Sequence, residues 1–371
     1  MDTFDLESYL SNGVEKIIKG ILKASLKNPK ASFFMLQHVK NSKKAREKRI
    51  KEEQLGNHIP PFLIASITDK CNLHCKGCYA RANHSCIDYC GKDDIQGLMT
   101  SGKWNDIFKQ SSDLGIEFII LVGGEPFVRK DVLKVAGDHK DILFPIFTNG
   151  TMIDKSYLDL LDSNRNLMPV LSIEGNRNTT DLRRGQGVFD KLQNTMNNLN
   201  TLGILFGASV TVTKQNMNEV LSDEFIENLK GSGAKAVIYV EYVPMDEKTK
   251  EIALDDVDRD RMMSRLDEIR KKEYDDMIFI AFPGDEDTSN GCLAAGRGFF
   301  HINAHGGAEP CPFSTYSDMD IIKSSLKEAL QSPLFKKLQQ SGNLSEKHIG
   351  GCVLFEQKDK VQKLLYEEEI I

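Results

Sequence analysis

At 371 residues, with 40% apolar and 27% charged side chains, the chain has room for one large α/β domain with additions, or for two smaller domains. A net charge of −6 offers no global attraction to nucleic acid or to an anionic membrane. No apolar run reaches bilayer length and the N-terminus lacks a secretory signal, so a cytoplasmic location is expected. In that reducing setting, eight cysteines read as metal ligands rather than as disulfides.

Residues 1–58 form an expected N-terminal helical region. Val14, Ile17, Ile18, Ile21 and Leu22 recur at helical spacing, with Lys16, Lys19, Lys23 and Lys27 largely between them. "NPKASFFMLQHV" restarts a helix with Pro29 in its first turn, and the basic run "KNSKKAREKRIK" follows. Two readings stand: a cap packed on the main domain, or a basic amphipathic helix making a peripheral contact with a membrane.

From 59 to 245 the sequence alternates. Strand-like runs occur at "FLIASIT", "IEFIILV", "ILFPIFT", "MPVLSI", "FGASVTV" and "AVIYVEY", and helix-like stretches fill most of the gaps. The runs are almost continuously apolar, as strands covered on both faces must be. Six such units predict a partial (β/α)6 barrel. Residues 246–275 read as a linking loop and a surface helix, and 276–371 as a small C-terminal α+β unit.

The strands are followed by "DKCNLHC", "GGEP", "TNGT", "EGN", "TKQN" and "VPM", nearly all of them polar or glycine-rich. In parallel α/β folds these ends share one face, where active sites form. Taken singly, "TNGT" and "VPM" need be no more than turns. Cys71, Cys75 and Cys78, spaced C-x3-C-x2-C, follow the first strand. Three such close thiolates can hold three irons of a four-iron cluster and leave the fourth open. A zinc site would instead need His74 or His84 as a further ligand.

"CNLHCKGCYA" after the first strand and "GGEP" after the second resemble the radical S-adenosylmethionine (SAM) superfamily over residues 60–245. The resemblance implies that SAM's methionyl amino and carboxylate groups occupy the open iron of a [4Fe-4S] cluster held by Cys71, Cys75 and Cys78. It implies an oxidoreductase- or transferase-type radical enzyme that receives electrons from a donor such as flavodoxin or ferredoxin. Tyr79 matches the aromatic position beside the adenine. Gly123, Gly124 and Glu125 match the stretch that contacts the methionine amino group. Ser172 and Glu174 match polar positions near the ribose and carboxylate, and Arg184, beside Arg183, matches an arginine that steadies the carboxylate.

Cys292 and Cys311 flank an expected hairpin, "FFHIN" and "AEPC" joined at "AHGG", and Cys352 follows in "GGCVLF". This layout resembles the Twitch and SPASM extensions, which implies a second, auxiliary [4Fe-4S] cluster. Phe355 stands where those families place a further cysteine. The fourth ligand is then substrate, solvent, His348, Cys86 or Cys90. The substrate is expected to be a peptide or a small metabolite. An iron–sulfur electron carrier or sensor, and a zinc-dependent hydrolase, are the rival classes.

Overall fold

The computed structural model describes residues 6–26, 28–91, 96–244, 247–272, 277–285, 291–342, 344 and 352–366. All six strand-like runs are strands: β1 (Phe62–Thr68), then β4 (Phe118–Gly123), β5 (Phe144–Thr148), β6 (Leu167–Ser172), β7 (Gly207–Val212) and β8 (Ala236–Glu241). The short strands β2 (Lys70–Cys71) and β3 (Ile87–Asp88) lie between the first two and pair only with each other, in the cysteine segment.

The sheet is larger than the six units. β9 (Ile278–Phe282) adds in parallel to β8. At the opposite edge β10 (His301–Ile302) pairs in parallel with β1, and β11 (Gly307–Glu309) and β12 (Met319–Asp320) continue the sheet antiparallel. The expected hairpin therefore forms, but its first strand is a neighbour of β1. The order is β12-β11-β10-β1-β4-β5-β6-β7-β8-β9, an open parallel sheet of the partial-barrel kind with an antiparallel edge.

Burial alternates along β1, β5, β8 and β9. In β1, Leu63, Ala65 and Ile67 are buried in one core with Trp104, Ile107 and Phe108, whereas Phe62, Ile64 and Ser66 are half-buried on the other face. In β8 and β9, Ile238, Val240, Ile280 and Phe282 are half-buried in the same alternating way. A helical layer thus covers one face, and a less occluded, mostly apolar face remains.

The N-terminal region forms two helices, α1 (Leu6–Ser25) and α2 (Pro29–Gln54). Val14, Ile18 and Ile21 are buried with Met35, Phe118 and Leu143, against Phe62, Met168 and Ile278. Phe62, Phe118 and Ile278 are the first residues of β1, β4 and β9, so α1 lies across the N-terminal ends of the strands. The apolar stripe of α1 is thus packed on the chain's own strand ends, as the cap reading expects. Arg49 of α2 fixes the packing through a buried ion pair with Glu117 at 2.8 Å and a bond to the Gly115 carbonyl at 2.7 Å. No described helix is long and apolar enough to cross a membrane.

Candidate active site

Cys71, Cys75 and Cys78 lie in one half-buried loop beyond the C-terminal end of β1. None is in a disulfide. The loop is fastened to its neighbours by backbone contacts. Gly124 N donates to Thr68 O at 3.0 Å and Glu125 N to Lys70 O at 2.7 Å. A Cβ on Gly123, whose φ is +129°, would stand 2.1 Å from Thr68 O, and one on Gly124 would stand 2.1 Å from Lys70 O. The paired glycines let the "GGEP" backbone lie directly on the cysteine segment.

Glu125 is buried, and its carboxylate is committed within the protein. It accepts from Phe127 N at 3.0 Å, Thr148 Oγ1 at 2.7 Å and Asn149 N at 2.8 Å. Burial pushes its pKa up, against these three donors. Asn149 in turn donates to Asn72 at 2.8 Å, and Asn72 to Thr151 at 2.9 Å. "TNGT" is therefore more than a turn: it ties β5 to the cysteine loop. What "GGEP" can offer a ligand is its backbone, since the Glu125 side chain is spent on the rim.

Ser172 ends β6, half-buried and in register with Ser209 of β7. Glu174 is buried and binds both arginines, Arg183 Nε at 3.2 Å and Arg184 Nη2 at 2.5 Å, while accepting from Thr211 N at 3.1 Å. Arg184 Nη1 also lies 3.9 Å from Cys75 Sγ. Burial would lower the Arg184 pKa, but Glu174 and Cys75 outweigh it and hold it raised. Arg184 thus stands between a carboxylate and a thiol. Arg183, the alternative at sequence level, is at the site too: its guanidinium lies 5.7 Å from the centre of the Tyr242 ring. Tyr242 follows β8 and was not singled out in the sequence, because nothing local in "VEYVP" distinguishes it.

Tyr79 is half-buried and packs on Phe313, with ring centres 4.5 Å apart. Its hydroxyl pKa is raised by burial and by the thiols of Cys78, Cys311 and Cys86 nearby. The cysteine loop therefore abuts the C-terminal segment. There Cys311 and Cys352 are buried, and the thiols of Cys352 and Cys292 both lie close enough to interact with Cys311. Cys86 lies close enough to interact with Cys71, which places it with the first loop, while Cys90 is exposed. His348 lies outside the described residues.

A Ser–His–Glu chain, also missed in the sequence, joins β1 to the hairpin. Ser66 Oγ lies 2.7 Å from His301 Nε2, and His301 Nδ1 lies 2.7 Å from Glu309, to which Asn303 donates at 2.6 Å. No sequence motif announces it, because Ser66 and His301 are 235 residues apart.

Three thiols in one loop, with Cys75 within range of both Cys71 and Cys78, are a donor set of the kind a four-iron cluster takes. Among the described residues, no three histidine, cysteine or carboxylate groups are placed to hold one metal ion. The ligands of a four-iron cluster each take a separate iron and need not converge so closely. His74, the candidate fourth zinc ligand, pairs with Asp88 at 3.2 Å.

Residues 65–226 match the Radical SAM superfamily. The chain is 29% identical over 171 residues to Fe-coproporphyrin III synthase of Methanosarcina barkeri, covering 45% of this chain and 41% of the synthase. It is 26% identical over 280 residues to the sporulation killing factor maturation protein SkfB of Bacillus subtilis, covering 74% of this chain and 65% of that protein. The matched stretch is thus less than two thirds of either relative. Streptococcus suis SuiB bound to precursor peptide SuiA has the same fold, with a TM-score of 0.64 at 19% identity over 85% of this chain and 73% of that one.

Proposed function

We propose that this chain, which belongs to the radical SAM superfamily, binds a [4Fe-4S] cluster through Cys71, Cys75 and Cys78 and uses it with SAM on a peptide substrate. The observation that carries the reading is the fit of the cysteine loop against the "GGEP" backbone, with Arg184 between Glu174 and Cys75. When bound, the cluster and SAM supply a 5′-deoxyadenosyl radical that removes hydrogen from an unactivated C–H bond. The chain's residues position and shield. Gly123 and Gly124 present backbone at the loop, Arg184 offers a fixed positive charge to a carboxylate, and Ser172 and Tyr79 line the approach. Half-buried apolar side chains on the open face of the sheet exclude water from a reacting carbon.

A peptide is favoured by the relatives: SkfB is named for maturation, and SuiB is bound to a precursor peptide. The apolar sheet face also suits a large planar metabolite, as the similarity to Fe-coproporphyrin III synthase suggests. Cys292, Cys311 and Cys352 would hold the auxiliary cluster, as in Twitch and SPASM extensions, with flavodoxin or ferredoxin as reductant.

Anaerobic reconstitution tests this. The protein should turn brown and bind about eight irons as two four-iron clusters. With dithionite and SAM it should release 5′-deoxyadenosine and methionine, and Cys71→Ala, Cys75→Ala and Cys78→Ala should each abolish that release. Cleavage persisting in all three would refute the first site. A folded triple Ala variant at Cys292, Cys311 and Cys352 should bind about four irons and still cleave SAM; unchanged iron content in that variant would refute the second site.

A further inference from the structure

Tyr242 is the large side chain at the rim that the reading above leaves without a role. It is 1% exposed, and its hydroxyl has no hydrogen-bond partner among the described residues. Leaving a buried hydroxyl without a partner forfeits its hydration uncompensated, so such groups are normally satisfied. The hydroxyl lies against the cysteine loop itself. A Cβ on Gly77, between Cys75 and Cys78, would stand 2.7 Å from Tyr242 Oη and 2.8 Å from its ring carbon Cε2. The glycine, at φ +66°, is what lets the phenol come this close. Arg183 covers the ring, its own position set by Glu174 and by Lys76 N, which donates to the Arg183 carbonyl at 2.8 Å. The phenol is therefore held on both sides, with its one donor directed at a loop that carries three thiols.

We infer that Tyr242 is a positioning residue whose O–H donates to a sulfur of the cluster seated on Cys71, Cys75 and Cys78 and so sets its reduction potential. The inference rests on the cluster assignment made above. A donor to sulfur stabilises the reduced, more negative cluster and raises the potential, because hydrogen bonds to sulfur and solvent exposure are the protein's principal controls on it. Arg184, 3.9 Å from Cys75 Sγ, acts in the same direction as a charge. Together they make one-electron reduction easier in a half-buried loop that would otherwise resist added negative charge.

The test compares wild type with Tyr242→Phe, which removes only the hydroxyl. Both proteins are reconstituted anaerobically and titrated, without SAM, by EPR-monitored redox potentiometry. Tyr242→Phe should keep its full iron content and shift the potential of the first cluster to more negative values. 3-Fluorotyrosine at position 242, a stronger donor, should shift it the other way. In the metal-free protein Tyr242→Phe should be no less stable than wild type by thermal melt, because the hydroxyl has no partner there to lose. A purely structural tyrosine would lower that melt and leave the potential unmoved. Unchanged potentials in the loaded Phe and fluorotyrosine proteins would overturn the inference. Wild type that takes up no iron would instead overturn the cluster assignment, and the two failures are distinct.

Discussion

Gly124 has almost no space to spare, since any side chain there would meet the Lys70 carbonyl at 2.1 Å. Gly124→Ala should push the "GGEP" loop off the cysteine segment, and iron retention after reconstitution should fall to roughly half, the share of one cluster in two. Unaltered iron content would show that the loop can yield. His38 makes a different prediction. It is fully buried between Phe34 and Phe118, neither ring nitrogen has a partner among the described residues, and burial lowers its pKa to about 4. Below pH 6.5 the unfolded chain binds a proton there that the folded chain refuses until about pH 4, so stability falls as pH falls through that window. The loss should reach on the order of 3 kcal/mol, and His38→Leu should flatten this part of the urea-unfolding pH profile. A profile identical to wild type would contradict the assignment. The cysteines were legible as a group because three thiols within eight residues need no tertiary context. The roles of Tyr242 and Asn149 were not, since each matters only through a neighbour on another element.

Among the elements, α1 was readable as an amphipathic helix but not as the floor of the barrel. The stripe of Val14, Ile18 and Ile21 specifies an apolar partner without saying whether that partner is lipid or the chain's own strand ends. Ile18→Ala should cost about 3 kcal/mol in urea unfolding if the stripe is core, through lost burial and a residual cavity. A change within about 0.5 kcal/mol, as at a surface site, would contradict this packing. The six long strands were legible from their apolar runs, whereas β9 lay beyond the expected barrel boundary. β10 and β11, two and three residues long, were legible as a hairpin from the turn at "AHGG" between them, but not as neighbours of β1. Their place in the sheet is fixed by long-range partners, above all His301 between Ser66 and Glu309.

For the whole molecule, the α/β class and the placing of the site at the strand ends followed from alternation and from what ends each strand. The sheet's full order did not, because it joins β1 to a strand from the far end of the sequence. That junction sets a clock on synthesis. β1 and the cysteine loop leave the ribosome early, but the outer edge of β1 is covered only when His301 and Ile302 arrive, 237 residues after their partners Ile64 and Ala65. At roughly 5–20 residues per second, the wait is about 10–50 s. Through that interval the growing chain carries an uncovered strand edge, which is a template for pairing with another chain. The floor waits almost as long, because Ile278 of β9 is among the side chains on which α1 packs. The nascent polypeptide must therefore be sheltered until nearly all of its sheet has been made.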